Sequence, residues 1–278
     1  MTVGDLHAEG AAALAPREGL PNPTRELRWL LAQALGRSET WILAHHDEAV
    51  PAHVEAIFRG WLRRRADGEP AHYIVGSCPF WGRVFTVTPA VLIPRPETEL
   101  IVECALTVPE PDRPRVLDVG TGSGCLAVTL ALELSGATVT ATDVSPEAVA
   151  VASRNARALG ARVRFAAGNL ATHIRGPFDL VVANLPYVPA GEIPELSVEI
   201  RAYEPHVALA GGEDGADLLR TFLADLPRLL APGGHALLEM GPRQRAGLQA
   251  GVAASGLTEV HRGLDHAGIE SVLVLRSP

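Results

Sequence analysis

Three short stretches of this 278-residue chain bring together residue types that could do chemistry. The first is Val116-Leu117-Asp118-Val119 running into Gly120-Thr121-Gly122-Ser123-Gly124, an apolar strand pattern that ends in alternating glycines before a helical pattern. Glycines there let the backbone turn sharply and approach a ligand closely at a helix start. Gly122, Gly124 and Ala127 also satisfy the GxGxxG/A spacing of dinucleotide sites, a weak signal by itself. Asp118 favours a different ligand. A pyrophosphate would be repelled by a carboxylate just before the glycines, whereas an amino group or a sulfonium would be attracted. S-adenosylmethionine carries both.

The second is Asp143, closing the next strand pattern nineteen residues beyond Gly124. A carboxylate there can accept both ribose hydroxyls of a nucleoside. The competing role, capping the helical pattern that begins at Pro146, falls more naturally to Ser145. Asn169-Leu170, just after the third strand pattern, would then lie near the adenine ring.

The third is Asn184-Leu185-Pro186-Tyr187, emerging from the apolar run Phe178–Ala183. An amide at the end of an apolar strand is a poor structural choice but suits a ligand crevice; the alternative is a turn aromatic beside Pro186. Amide and aromatic amino nitrogens are weak nucleophiles because the lone pair is delocalised. The Asn184 side-chain oxygen and the Leu185 carbonyl could accept the two N–H bonds of a target NH₂ group. That would aim its lone pair at a methyl sulfonium and stabilise the charge developing on nitrogen. Tyr187 offers a face on which a flat group can stack. The methylated nitrogen loses its proton afterward, so positioning carries the reaction.

These stretches need a scaffold. From Arg115 onward, strand patterns at Val116–Val119, Thr138–Thr142, Val163–Ala166, Asp179–Ala183, His235–Glu239, Thr258–His261 and Ser271–Leu275 alternate with helical patterns at 124–134, 146–159, 214–230 and 243–255. Such alternation predicts an α/β fold with a mostly parallel, doubly wound sheet and ligands beyond the strands' carboxyl ends. Residues 1–75 read as a small helical domain. Leu27, Leu30, Leu31 and Leu35 recur at helical spacing with Thr24 placed as a cap, and further runs at Trp41–Leu43 and Val54–Leu62 are separated by Gly36 and Pro51. Residues 76–96 turn aromatic and β-branched, with a strand expected through Arg83–Val87, and form a connector. Glu97 opens a helix through about Thr107 and the catalytic domain, 97–278.

Composition narrows the function. The net charge is −8 and every basic residue is arginine, which disfavours nucleic acid as a direct partner. The one compact basic cluster, Arg59 with Arg63–Arg65, is either a solvated helix face or a docking patch. Three cysteines without a CxxC pair fit a reducing cytoplasm, and adjacent His45 and His46, without a third ligand, fit a surface better than a metal site. No apolar run reaches a membrane span and the first residues lack a signal-peptide pattern, so a cytoplasmic location with neither metal nor membrane is expected.

Beyond these readings, the chain resembles the HemK/PrmC family, whose members methylate the glutamine of the GGQ motif in class 1 peptide chain release factors. The matching stretches are EPAHYIVG (69–76), FWG (80–82), LIPRPETELIVE (92–103), DVGTGSG (118–124), NLPY (184–187), YEPHVALAGGEDG (203–215) and APGGHALLEMG (231–241). The resemblance implies a Rossmann-like methyltransferase fold of seven strands, the last antiparallel, and an amino-terminal helical domain that helps dock the release factor. It implies that Gly120, Thr121, Gly122, Ser123, Gly124, Asp143 and Asn184 hold S-adenosylmethionine, leaving S-adenosylhomocysteine as product. It makes Asn184, Pro186 and Tyr187 the catalytic group, with Leu185 completing the grip on the substrate. Leu185 replaces the family's usual proline, Asn169 stands where aspartate is frequent, and Leu170 where some members have an aromatic. The competing activities are an adenine or guanine amino-methyltransferase acting on DNA or RNA, and a glutamine methyltransferase acting on a ribosomal protein.

Overall fold

In this computed structural model, residues 1–14, 23–242, 244–264 and 268–278 are described. The chain divides into two units, Met1–Ser77 with Ser197–Tyr203, and Cys78–Leu196 with Glu204–Pro278.

The first unit is helical: α1 (Val3–Leu14), α2 (Pro23–Leu35), α3 (Glu39–Ala44), α4 (Ala52–Ala66), α5 (Ala71–Val75) and, from the later segment, α9 (Val198–Tyr203). The leucine spacing in α2 acts as expected. Leu27, Leu30 and Leu31 are fully buried beside Leu6, Phe58 and Leu62. Gly10 allows α1 to approach closely, since a Cβ there would lie 2.8 Å from Leu27 Cδ2. Thr24 is not a cap. The helix already includes Pro23, whose fixed φ suits a first turn, so Thr24 lies inside that turn. Ser38 does cap α3, accepting a hydrogen bond from the Trp41 backbone N–H at 3.1 Å. His45 and His46 are exposed, and His45 stacks on Trp41.

The arginine cluster on α4 fits neither sequence reading well. Arg59 pairs with Glu9 and Glu55, and Arg64 with Glu69. Arg65 is 1% exposed and bonds the carboxylates of Glu26 and Glu199 and the Glu69 carbonyl. A buried cation must be paired, and these acids come from α2 and α9, which the local spacing does not reveal. Among the described residues, Arg63 is the member left exposed without an acidic partner.

A hairpin of β1 (Ser77–Phe80) and β2 (Arg83–Thr86), all but its first residue in the second unit, precedes α6 (Glu99–Ala105). Trp81 and Gly82, with φ of +50° and +68°, make the two-residue turn that favours positive φ at both positions. The strands β3 (Arg115–Val119), β4 (Thr138–Asp143), β5 (Val163–Ala167), β6 (Phe178–Ala183), β7 (Leu230–Glu239), β8 (Thr258–Leu264) and β9 (Glu270–Arg276) form one sheet. Its order is β5-β4-β3-β6-β7-β9-β8. All pairings are parallel except those of β9, which runs antiparallel to both β7 and β8.

Strand side chains alternate between faces, and both faces are covered. Leu117, Val119, Val181 and Ala183 pack with Leu219, Phe222, Leu223 and Leu226 of α10 (Asp217–Leu229). Val116, Leu180 and Val182 pack on the other side with Ile101 and Val102 of α6 and Leu126 and Val128 of α7 (Cys125–Glu133). The remaining helices are α8 (Pro146–Ala158) and α11 (Arg245–Ser255); the residue before Gln244, expected to lie in a helix, is outside the described residues. From β3 the strand order runs outward in both directions, which opens a crevice beyond the carboxyl ends of β3 and β6.

Candidate functional site

A cavity of about 220 Å³ occupies that crevice. The loop after β3 forms its floor. Gly120, Gly122 and Gly124 have φ of +78°, +54° and +82°. The N–H groups of Gly120 and Thr121 both donate to the Thr142 carbonyl at 2.9 Å, tying the loop to the end of β4. A Cβ on Gly122 would meet nothing within 4 Å, so the loop turns bare backbone to open space. A Cβ on Gly124 would sit 3.0 Å from that of Ala152, so this glycine serves helix packing rather than the cavity.

Asp143 lines the cavity and organises it. One carboxylate oxygen accepts from the Gly122 N–H at 2.8 Å and the other from the Ser145 N–H at 2.9 Å. Each oxygen keeps a further lone pair for a ligand hydroxyl. Burial raises its pKa, and the backbone hydrogen bonds from Ser145 and Gly122 oppose that rise. Ser145 performs the capping, with its Oγ accepting from Ala148 N–H at 3.1 Å.

Asn184, Leu185 and Pro186 line the cavity from the end of β6. The Asn184 amide nitrogen donates to Thr98 Oγ1 at 3.0 Å, which leaves its oxygen as the group able to accept from a ligand. Among the described residues no hydrogen bond is made to the Leu185 carbonyl. The loop is pinned beyond that point. Val188 N–H donates to the Leu209 carbonyl and Gly211 N–H to the Val188 carbonyl, both at 2.9 Å. Gln244 Nε2 donates to the Tyr187 carbonyl at 2.8 Å. Gly211 and Gly215 permit this packing: a Cβ would lie 2.7 Å from Tyr187 Cα at the first and 2.3 Å from the Tyr187 oxygen at the second.

Gly120, Thr121, Gly122, Ser123, Asp143, Asn169, Leu170, Asn184, Leu185 and Pro186 therefore converge on one cavity. Three expected residues do not line it. Gly124 packs on α8. Asp118 is fully buried beneath the loop, where it accepts from Thr121 Oγ1 at 2.6 Å and Ala127 N–H at 3.2 Å; burial pushes it up to about 7. Tyr187 is not among the residues lining the cavity, and burial pushes its hydroxyl up to about 12.

Residues without an assigned role in the sequence complete the lining: Leu92, Pro94, Arg95 and Thr98 on one side, Pro205 and Val207 on another. They lie in the LIPRPET and YEPHVA stretches, whose unusual composition was the only signal. Glu204 holds these stretches together. It is 3% exposed and accepts from the Ile93 N–H at 3.2 Å and from the Arg95 guanidinium at 2.5 Å. The lining fits S-adenosylmethionine: bare glycine backbone, a carboxylate for ribose hydroxyls, and one guanidinium already committed to Glu204, which leaves little to counter a pyrophosphate.

The PrmC N-terminal domain family matches residues 5–76, and the Methyltransferase small domain family matches residues 97–200. A release factor glutamine methyltransferase of Bordetella pertussis is 45% identical over 90% of this chain and 93% of its own length. One from Geobacter sulfurreducens is 40% identical over 92% of this chain and 90% of its own. The chain belongs to the release factor glutamine methyltransferase family. Among solved structures, a methyltransferase of Pyrococcus furiosus superposes with a TM-score of 0.55 over 71% of this chain and 90% of its own, at 19% identity. A 16S rRNA N2 G1207 methyltransferase of T. thermophilus, solved with AdoMet and guanosine, gives 0.52 over 73% of this chain and 50% of its own, at 18% identity. Both share the family's Rossmann-like fold. No helix among the described residues is long and apolar enough to cross a membrane.

Proposed function

We infer that this chain transfers a methyl group from S-adenosylmethionine to the side-chain amide nitrogen of the glutamine in the GGQ motif of a class 1 peptide chain release factor. The observation that carries the chemistry is the Asn184 amide, whose nitrogen is committed to Thr98 while its oxygen is left to the cavity. Bound S-adenosylmethionine supplies an electrophilic methyl on a sulfonium. Asp143 would hold ribose hydroxyls, the Gly120–Gly124 backbone would pass beneath the donor, and Asn169 and Leu170 would border the adenine. Leu170, 9% exposed, offers an apolar edge in place of an aromatic face.

Asn184 Oδ1 and the Leu185 carbonyl accept the two N–H bonds of the acceptor amide. This fixes the nitrogen and stabilises positive charge as it forms. Leu185 serves through its carbonyl, so replacing the family's proline leaves the contact intact. Pro186 keeps the turn stiff, and Tyr187 supports the loop from behind. The helical unit is assigned to docking the body of the release factor. The nucleic-acid alternative finds little support, because the basic cluster on α4 is largely taken up by its own acids.

Labelled methyl transfer to purified release factor, ribosomal protein, DNA and RNA tests this reading. Label is expected on the release factor and is expected to vanish when the GGQ glutamine is replaced. Label that survives the replacement would move the acceptor elsewhere.

A further inference from the structure

Away from the donor crevice, a groove of about 580 Å³ lies beside the sheet edge, between α8 and the first residues of β4 and β5. Its floor is apolar, formed by Val139, Ala156, Val163 and Phe165. Arg157 of α8, Arg162 just before β5 and Arg164 within it border the groove. All three are exposed, and among the described residues none makes a hydrogen bond or an ion pair. No acidic side chain lines the groove. The contrast with α4 is plain, where Arg59, Arg64 and Arg65 are each matched by glutamates. On a chain of net charge −8, this gathering of unmatched cations is a surface built for an acidic partner.

The backbone indicates the form of that partner. β5 ends the sheet, and among the described residues no strand pairs with its outer side. An edge strand offers unpaired N–H and C=O groups to an extended segment. Alternation puts Val163 and Phe165 on the face packed against the core and Arg162 and Arg164 on the other. A segment laid beside β5 alternates in the same way, so acids on one of its faces meet guanidinium groups, which suit carboxylates in paired hydrogen bonds. We propose that this groove docks an extended, acidic segment of a partner protein as an added strand beside β5. Edge charges also discourage self-pairing, which accounts for Arg162 and Arg164 but not for Arg157 or the apolar floor. RNA phosphates would be drawn to the same arginines, but they have nothing to pair with a strand edge. Thr138 borders the groove and Asp143 the donor crevice, about 16 Å apart along β4. A docked segment therefore leaves the crevice open.

The probe is a fluorescent twelve-residue peptide alternating valine and glutamate, titrated with the full chain and read by anisotropy. It is expected to bind at least tenfold more tightly than a valine–lysine peptide of the same length. Two further versions carry N-methyl groups on the valines or on the glutamates, and one of them should bind at least tenfold more weakly because its N–H groups face β5. Arg157→Glu, and Arg162→Glu combined with Arg164→Glu, should each weaken the parent peptide at least fivefold. Calorimetric affinity for S-adenosylmethionine within twofold of the parent shows that both variants are folded. No binding of the glutamate peptide, or binding unchanged in the arginine variants, overturns the groove. Equal binding of both N-methylated peptides overturns the added strand. An oligouridylate that binds more tightly than the peptide, and is lost in the same variants, gives the surface to RNA instead. Self-association of the chain that the peptide cannot displace gives the edge to a second copy. None of these readouts involves the methyl acceptor, so their failure leaves the proposed function untouched.

Discussion

At the scale of single residues, the site is a set of hydrogen-bond directions. Asn184 contributes an acceptor aimed at a nitrogen whose reactivity depends on orientation, so its removal should affect turnover far more than donor binding. Asn184→Ala is expected to abolish methyl transfer while changing S-adenosylmethionine affinity by less than about tenfold, roughly 1.4 kcal/mol. Calorimetry beside a single-turnover assay checks both halves. Asp143 has the reverse profile. It braces Gly122 and Ser145 and faces the cavity, so Asp143→Ala should chiefly weaken donor binding. Unchanged donor affinity would reduce Asp143 to a brace of the loop.

At the scale of elements, side chains buried between segments hold the loops in register. Asn155 on α8 accepts from Thr86 N–H at 2.8 Å and donates to the carbonyls of Thr86 and Ser123 at 2.9 and 2.8 Å. It joins the hairpin, the glycine loop and α8. Asn155→Ala leaves the carbonyl of buried Ser123 without this partner, while the two groups of exposed Thr86 can turn to water, and is expected to destabilise the fold by about 1–3 kcal/mol, read from denaturant unfolding. Gly215 acts on the other side of the cavity. Its φ of +80° and the nearby Tyr187 oxygen exclude a side chain. Gly215→Ala should displace the Asn184–Tyr187 loop and lower kcat at least tenfold, with donor affinity nearly unchanged; a parallel loss of donor binding would place the damage elsewhere.

At the scale of the whole molecule, burial of acids gives a pH signature. Burial pushes Asp118, Glu239 and Glu110 each up to about 7. Above their unfolded values and below about 7 the native state therefore binds more protons than the unfolded chain. Stability falls as pH rises through that window. Two effects oppose it at lower pH. Burial lowers the pKa of His235, which weakens the fold as this group is forced to charge below its ordinary value, and Asp214, held down to about 2 by Arg220, loses its contribution in strong acid. The ligand-free protein should melt highest at mildly acidic pH, with a Tm about 5 °C lower at pH 8 than at pH 5.5. Asp118→Asn should narrow the gap. A Tm that rises from pH 5.5 to pH 8 would contradict the account.

The sequence alone determined what depends on local pattern. The strand alternation from Arg115 onward, the glycines after Val119, Asp143 and the Asn184–Tyr187 turn are contiguous signals, and in the structure the alternation yields the sheet and most of these residues reach the cavity. The tertiary structure decided what depends on distant partners. Spacing placed Asp118 next to the ligand loop, but strand alternation and the Ala127 N–H draw its carboxylate under the loop. Tyr187 does not line the cavity, and its carbonyl is held by Gln244, 57 positions later. Arg65 looked like a surface charge until α2 and α9 supplied acids to bury it. Hydrophobic periodicity reports which face turns inward; which polar groups find one another across the chain is settled only when the elements pack.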